Sequence, residues 1–511
     1  MTALAAEPQA TRREWIGLAI IALPCMLYSM DLTVLNLAVP QLSEDLAPSA
    51  SQLLWIVDIY GFMIAGSLIT MGTLGDRIGR RRLLLIGAVA FGLASVLAAF
   101  STSAEMLIAA RAMLGVAGAT LAPSTLSLIR NMFLDPSQRT VAISVWITSF
   151  SVGGALGPLV GGILLQYFWW GSVFLIAVPV MALLLVLGPV LLPEYRDPEA
   201  GRLDLASAAL SLVSVLAVIF GLKQTAENGF GWLPALSILA GVAIGLVFVR
   251  RQRRLADPLI DLELFRSAAF STALGVNISV FFVFFGSFLF MAQYLQLVIG
   301  LPPLQAGLWS LPSTIGFIAV TMSTPTILRR VRPAYVMGAS LAAAAVGFGV
   351  MTQIAGDYGL AVLVTASIIF SMGLAPVITL ATDMIVGAAP PERAGSAAAL
   401  SETGSEFGGA LGIAVLGSVG TAIYRSRMAA DLPNGIQPDL VETARDTLGG
   451  AVGVAESLAA ELAGPLLEAA RDAFTQGLQM TAAISVAVAL AAAVAAVMAL
   501  RHIEVDADHG E

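Results

Sequence analysis

Short polar breaks divide the chain into fourteen long apolar runs, and this pattern restricts its folding more than any other feature. A helix that crosses about 30 Å of hydrocarbon needs roughly 20 apolar residues, which is the length of these runs. We therefore predict an all-α polytopic membrane protein. The predicted spans are 16–39, 52–74, 83–101, 104–129, 141–165, 171–192, 205–223, 232–250, 270–298, 305–328, 334–354, 359–385, 395–423 and 477–500.

The composition fits a chain that faces lipid over most of its surface. Of its residues, 58% are hydrophobic and only 12% are charged, whereas a soluble domain carries about 25% charged residues. The net charge of −8 identifies no partner. The arginines lie in short loops and form no stripe for nucleic acid, so we expect the lipid bilayer and small molecules as partners.

Scarce residue types exclude several functions. Lys223 is the only lysine and does not follow the glycines of a P-loop, so we expect no ATP-driven transport by this chain. Cys25 is the only cysteine, which allows neither an internal disulfide nor a thiolate cluster. The two histidines, His502 and His509, lie in the polar C-terminal tail. We therefore expect no metal, no cofactor and no enzyme activity.

The arginines also indicate the orientation of the spans. They are concentrated at the N-terminus and in the breaks after even-numbered spans, while the breaks after odd-numbered spans hold almost none until the last. Positive loops stay in the cytoplasm, so we predict an inner-membrane protein with both termini inside. The first apolar run is not followed by a cleavage site and a soluble domain, and we interpret it as a retained helix.

The break at 424–476 differs from the others in its length and in its Ala, Leu and Glu content. Its acidic residues have spacings that suit one or two amphipathic helices. We place it on the outer side, either as a cap or lid or as a solvated helical spacer.

Three groups of small and charged residues stand in order along the first five spans. They are Gly72, Gly75, Asp76, Arg77, Gly79 and Arg80 after span 2, Arg111, Gly115 and Gly118 in span 4, and Gly154, Gly157, Pro158, Gly161 and Gly162 in span 5. The glycines permit tight turns and close helix packing, and Asp76 can interact with a helix end. Together the groups resemble the signatures of the major facilitator superfamily. This resemblance implies two six-helix bundles, 1–200 and 266–511, with two inserted linker helices in 201–265.

Further motifs resemble one branch of that superfamily. Met30, Asp31, Thr33, Asn36, Ala38 and Pro40 are similar to the span 1 signature of fourteen-span drug:proton antiporters. Trp55, Asp58 and Tyr60 in span 2, with Glu402, Glu406 and Gly408 in span 13, are similar to exporters of quaternary ammonium compounds and methyl viologen. The resemblance implies that Asp58 is a substrate or coupling residue and that no cofactor is needed beyond the proton gradient.

Asp31 and Arg111 fall at the same depth in the membrane. Span 1 puts Asp31 about 20 Å from the inner face, and span 4 puts Arg111 about 10 Å from the outer face. In a core of about 30 Å these planes coincide, so an ion pair can form. The pair could hold an exchangeable proton, or it could be a permanent structural link between helices.

Glu402 and Glu406 are four residues apart and therefore share one face of span 13. Two acids this close where water is scarce do not both ionise easily, so at least one should bind and release protons near neutral pH. An acid at the start of a helix can also simply favour its positive end, which suits Glu402 better than Glu406.

Asp58 lies near the outer end of span 2 with Trp55 and Tyr60 nearby. A carboxylate beside aromatic faces suits a delocalised cation, and we add Met30 to the predicted cavity lining. Asp383, near the cytoplasmic end of span 12, we interpret as structural.

We predict proton-coupled efflux of amphipathic organic cations, such as quaternary ammonium compounds and dyes, by alternating access in a monomer. One alternative is export of an endogenous amphiphilic metabolite or antibiotic. A more distant alternative is a channel or a membrane-embedded enzyme.

Overall fold

The structure, a computed structural model, describes residues 9–46, 48, 50–196, 204–228, 231–255, 258–433 and 436–501. Within these residues, fourteen segments are long and apolar enough to cross a membrane. Each overlaps one predicted span, so the polytopic all-α fold is confirmed. The two histidines and Arg202 lie outside the described residues.

Two of the first six spans begin after residues that cap the helix N-terminus. Ser103 accepts a hydrogen bond from the backbone N–H of Met106 at 3.2 Å, and Asp135 accepts one from Gln138 at 2.8 Å. Both side chains satisfy N–H groups that have no partner within their helix. The helices are α1 (Arg12–Leu46), α2 (Ala50–Ile78), α3 (Arg80–Ala99), α4 (Ala104–Gly118), α5 (Leu121–Met132), α6 (Pro136–Tyr167), α7 (Ser172–Leu175) and α8 (Ala177–Leu191). The pairs α4/α5 and α7/α8 each make one span.

Among the remaining eight spans, one membrane helix contains internal prolines at Pro312 and Pro325, and another contains one at Pro376. Membrane helices tolerate these because neighbouring helices satisfy the freed backbone groups. The helices are α9 (Leu205–Asn228), α10 (Trp232–Gln252), α11 (Ala268–Gln293), α12 (Pro303–Leu328), α13 (Pro333–Met351), α14 (Gly359–Gly387), α15 (Ala394–Asp431), α16 (Pro438–Asp446), α17 (Leu448–Ser457) and α18 (Ala460–Leu500).

Small residues bring helices together within each half of the protein. On α6, a Cβ added at Gly153 would collide with the backbone of Met26 on α1, and one at Gly157 would collide with Thr33. In the second half, a Cβ at Gly412 of α15 would collide with the backbone of α11. Lipid provides no hydrophobic driving force between helices. Close backbone approach instead stabilises their association through van der Waals packing.

The inserted helices α9 and α10 pack on each other, and α9 also contacts both halves. Ile219 of α9 forms a buried cluster with Phe62 of α2, and Ala410 of α15 packs against this cluster. The inserted pair therefore lies beside the seam between the halves. The predicted domain limit at 200/201 lies outside the described residues, and the domain limits stay a prediction.

The helices of spans 13 and 14 extend beyond the predicted spans on the outer side. Helix α15 continues past 423 to Asp431, and α18 begins at Ala460 instead of 477. The sequence placed these ends where hydropathy falls, but a helix continues beyond the membrane when its backbone bonds and packing persist. The short helices α16 and α17 fill the gap between them.

This outer segment is docked on the second half and is not a solvated spacer. Tyr424 donates a hydrogen bond to the carbonyl of Ala444 at 2.8 Å, and Arg471 donates one to Leu297 at 3.2 Å. Ala444 and Leu448 are buried in the same apolar core as the spans. The segment is therefore a cap on the outer end of the second half.

Candidate functional site

Asp31 of α1 and Arg111 of α4 form an ion pair inside the first half, as their depths predict. The guanidinium is 1% exposed. Its Nε donates to the carbonyl of Ile56 at 3.1 Å, and its Cζ lies 4.7 Å from the ring centroid of Tyr60. A buried ion pair is tolerated when further hydrogen bonds and aromatic faces replace the lost water. The structure thus ties α1, α2 and α4 together at this point.

Two tyrosines connect this ion pair with the second half. The Tyr60 hydroxyl donates to the Tyr28 carbonyl at 3.5 Å. The Tyr28 hydroxyl in turn donates to Oε1 of Glu406 on α15 at 3.4 Å. Both bonds are long. Through the rings of Tyr60 and Tyr28, a series of contacts runs from Arg111 to an acid of the other half.

Glu402 and Glu406 lie on one face of α15, and both are partly buried. Their charges interact with each other across one helical turn. Tyr28 of the first half contacts Glu406, so this face of α15 lies at the seam between the halves, and neither glutamate is fully buried there. Carboxyl groups in such a place are candidates for binding a proton or a cation.

Asp58 has a partner that the sequence interpretation missed. Lys223 of α9 forms an ion pair with it, and the Lys223 ammonium lies 4.7 Å from the ring centroid of Phe62. Lys223 also interacts electrostatically with Glu406. The available signal was a lone lysine close to the end of an apolar span, because ionisable residues in spans are functional candidates.

Of the two aromatic residues predicted beside Asp58, the structure places Tyr60 elsewhere. Tyr60 is fully buried under Arg111, and Trp55 is 41% exposed with its ring against Phe62. Met30 is buried beside Gly157 of α6. Tyr60 is two residues from Asp58 and therefore faces another direction, whereas Phe62, one turn beyond Asp58, lies on the same face and meets Lys223.

The motif after span 2 forms part of a lock at the cytoplasmic end. Asp76 forms an ion pair with Arg80 and accepts a hydrogen bond from the backbone N–H of Ser396, in the first turn of α15, at 3.1 Å. A carboxylate at a helix N-terminus is favoured by the helix dipole. Gly79 has a φ of 110°, which only glycine adopts readily, and Arg77 lies in the last turn of α2. The expectation that Asp76 meets a helix end is confirmed.

Two further contacts complete this cytoplasmic lock. Asp383 of α14 accepts hydrogen bonds from Arg139 and Thr140 of α6, each at 2.9 Å. The carbonyl of Leu259, in the segment after α10, accepts from Thr73 at 3.0 Å and from Ser396 at 2.9 Å. Together these contacts join both halves and the inserted segment, so the protein is closed towards the cytoplasm.

The motif residues of span 5 lie on α6. Gly154 faces Ser29, and Gly161 faces Val34 of α1, whereas nothing lies close to Gly162. Pro158 is within the helix, but its side chain lies outside what the structure describes. Among the described residues, no three metal-binding side chains come together as a group that could hold an ion.

Fourteen spans, two halves joined by a cytoplasmic lock, and acids at the seam between them define a multi-pass membrane transporter. The chain belongs to the Major Facilitator Superfamily, whose sequence profile matches residues 21–413. It is a transporter and not an enzyme, as expected.

Several drug exporters are similar to this chain over most of its length. The Multidrug efflux pump LfrA of Mycolicibacterium smegmatis is 43% identical and is aligned over 94% of this chain and 96% of its own. The Methyl viologen resistance protein SmvA of Salmonella typhimurium is 36% identical over 90% and 93%. The Tetracenomycin C resistance and export protein of Streptomyces glaucescens is 32% identical over 91% and 88%. Drug export by this family of relatives agrees with the predicted class of function.

The fold is also similar to that of a solved transporter. The human organic anion transporter MFSD10 superposes with a TM-score of 0.61 at 15% identity, over 93% of this chain and 99% of its own. At this identity the similarity shows the fold alone.

Proposed function

We propose that this protein exports amphipathic organic cations in exchange for protons. The observation that supports this most is the pair Glu402 and Glu406 on one face of α15, partly accessible and hydrogen-bonded through Glu406 to Tyr28 of the other half. A carboxylate in such surroundings is stabilised by either a proton or a cation. The two therefore compete for it, and competition is sufficient for exchange.

The closed cytoplasmic lock suggests how the cycle runs. In the proposed cycle, the glutamates exchange with the outside while that end is closed, and protons from the outside neutralise them and release the cation. When the lock opens, the carboxylates lose their protons to the more alkaline cytoplasm and bind another cation. Both halves rock about a site near the midplane, and because both contribute to it, one chain is the expected working unit.

A second candidate is export of an endogenous amphiphile by the same site. The similarity to an antibiotic export protein of Streptomyces glaucescens favours it. A deletion strain that accumulates a metabolite but expels dyes normally would support this candidate. Loss of dye efflux without metabolite accumulation would support cation export.

The test is proton-driven transport by purified protein in liposomes, using the monovalent dye ethidium and the divalent methyl viologen. We expect Glu406→Gln and Glu402→Gln to lower exchange of both at least about tenfold, which corresponds to about 1.4 kcal/mol. We expect Asp58→Asn mainly to weaken cation binding.

The matched control is Glu456→Gln, which neutralises an exposed acid on α17. It should leave transport unchanged. Full gradient-driven transport in a protein with Asp58, Glu402 and Glu406 all neutralised would contradict the proposed exchange.

A further inference from the structure

The inserted helix α9 contributes the only lysine of the chain to the seam between the halves. Lys223 pairs with Asp58 of the first half and interacts electrostatically with Glu406 of the second. One cationic side chain from a third element therefore acts on acids of both halves. This is a different arrangement from the ion pair of Asp31 and Arg111, which lies within one half.

The surroundings of the Lys223 ammonium have the features of a site for an organic cation. It contacts a carboxylate, and it lies over the ring of Phe62 at 4.7 Å from the centroid. A carboxylate with an aromatic face is how proteins hold ammonium ligands. Here the protein's own ammonium occupies that position.

The Lys223–Asp58 pair is also more accessible than the Arg139–Asp383 ion pair between the halves. The side chains of Lys223 and Asp58 are 32% and 22% exposed. In the cytoplasmic lock, Arg139 and Asp383 are each 14% exposed. A cation entering the seam can therefore reach Asp58 and replace the lysine, at a smaller desolvation cost than at a buried pair.

We propose that Lys223 is a tethered cation, which occupies Asp58 when no substrate is bound and makes the site prefer monovalent over divalent cations. This rests on the proposed function. Lys223 cancels one of the three negative charges of Asp58, Glu402 and Glu406. When one glutamate is protonated, a single negative charge remains for the substrate. Without the lysine, two negative charges remain, which suits a dication.

The experiment measures equilibrium binding of ethidium and methyl viologen to purified protein without a gradient, followed by transport in liposomes. We expect Lys223→Gln and Lys223→Met to shift the binding ratio about tenfold towards methyl viologen, which corresponds to about 1.4 kcal/mol. Lys223→Arg keeps the charge and should keep the wild-type ratio. In an Asp58→Asn background, Lys223→Gln should change the ratio much less, because the Asp58 carboxylate that Lys223 neutralises is already absent.

The charge control is Arg427→Gln, which removes a positive charge from an exposed residue near the outer end of α15. It should not change the ratio. An unchanged ratio in both neutral Lys223 variants, or an equal loss of both cations, would overturn the inference and make Lys223 a structural tether. Wild-type protein that binds cations but does not exchange them for protons would refute the proposed function. The binding ratio would still test the proposed role of Lys223 in cation preference.

Discussion

Arg111 shows how a single charge is accommodated within the first half. Its guanidinium meets the carboxylate of Asp31, the carbonyl of Ile56 and the ring of Tyr60. Each contact replaces part of the water that the charge lost on burial. The Asp31–Arg111 pair is therefore enclosed by protein groups, which distinguishes it from the partly accessible acids on α15.

Removing one member of this pair should cost more than removing both. Asp31→Asn leaves the buried guanidinium without its counter-charge, and a loss of about 3–5 kcal/mol is typical for a broken buried pair. We expect a large fall in the Tm of the detergent-purified protein. Replacing Arg111 by Met and Asp31 by Leu together should restore part of it.

The comparison is Glu263→Gln at the exposed ion pair with Arg266. Exposed pairs contribute little, so its Tm should match the wild type. A Tm that is equally unchanged in Asp31→Asn would show that the buried pair does not stabilise the fold.

At the scale of elements, helix α2 participates in both the seam site and the cytoplasmic lock. Its outer part holds Asp58 beside Lys223, and its cytoplasmic part supplies Thr73 and Asp76 to the lock. A continuous helix transmits displacement along its length because its backbone bonds resist bending. Movement of α2 therefore changes the site and the lock together.

Gly72 allows α2 to approach α15 at the lock. A Cβ at this position would come within 2.5 Å of both the Gly395 carbonyl oxygen and the Ala399 Cβ. We expect Gly72→Ala to oppose closure and to lower transport about tenfold or more, since an obstacle to closure of only about 1.4 kcal/mol has that effect. The measurement is the transport rate in liposomes at equal protein content.

Gly61→Ala provides the control on the same helix, because nothing lies within 4 Å of its added Cβ. It should transport normally. If Gly72→Ala also transports normally, close approach at this position is not needed for the cycle.

At the scale of the whole molecule, the lock joins three parts of the chain. Arg139 and Asp383 join the two halves directly, and the Leu259 carbonyl accepts hydrogen bonds from each half. Arg393 adds an ion pair with Asp261 at 3.0 Å, next to this carbonyl. The segment after the inserted helices is thus part of the closure and not only a connection.

Weakening the lock should shift the population towards the cytoplasm-open state. A hydrogen bond to a charged group contributes about 1.5–3 kcal/mol, so Asp383→Asn should increase cytoplasmic access about tenfold. The readout is maleimide labelling, in inside-out vesicles, of a cysteine at Ser144 in a Cys25→Ser background. Ser144 is fully buried one turn from Thr140 on α6.

The charge swap Arg139→Asp with Asp383→Arg should restore slow labelling, because it restores the ion pair. Unchanged labelling in Asp383→Asn would contradict a role for this pair in closure.

Several features followed from the sequence because they depend on local or one-dimensional properties. The number of spans follows from the length of the apolar runs, since backbone groups must be satisfied within lipid. The pairing of Asp31 with Arg111 followed from helix rise, which fixes the depth of each residue. The shared face of Glu402 and Glu406 followed from helical periodicity.

Other features were decided only by the tertiary structure. The pairing of Asp58 with Lys223 depends on which side of the seam α9 occupies and on how α2 is rotated about its axis. The hydropathy of the sequence indicates neither the position of α9 nor the rotation of α2, because lipid accepts an apolar helix in any rotation. The docking of the outer segment likewise depends on buried contacts between distant residues such as Tyr424 and Ala444. The sequence alone thus determined what crosses the membrane and at what depth, while packing between helices determined which charges meet.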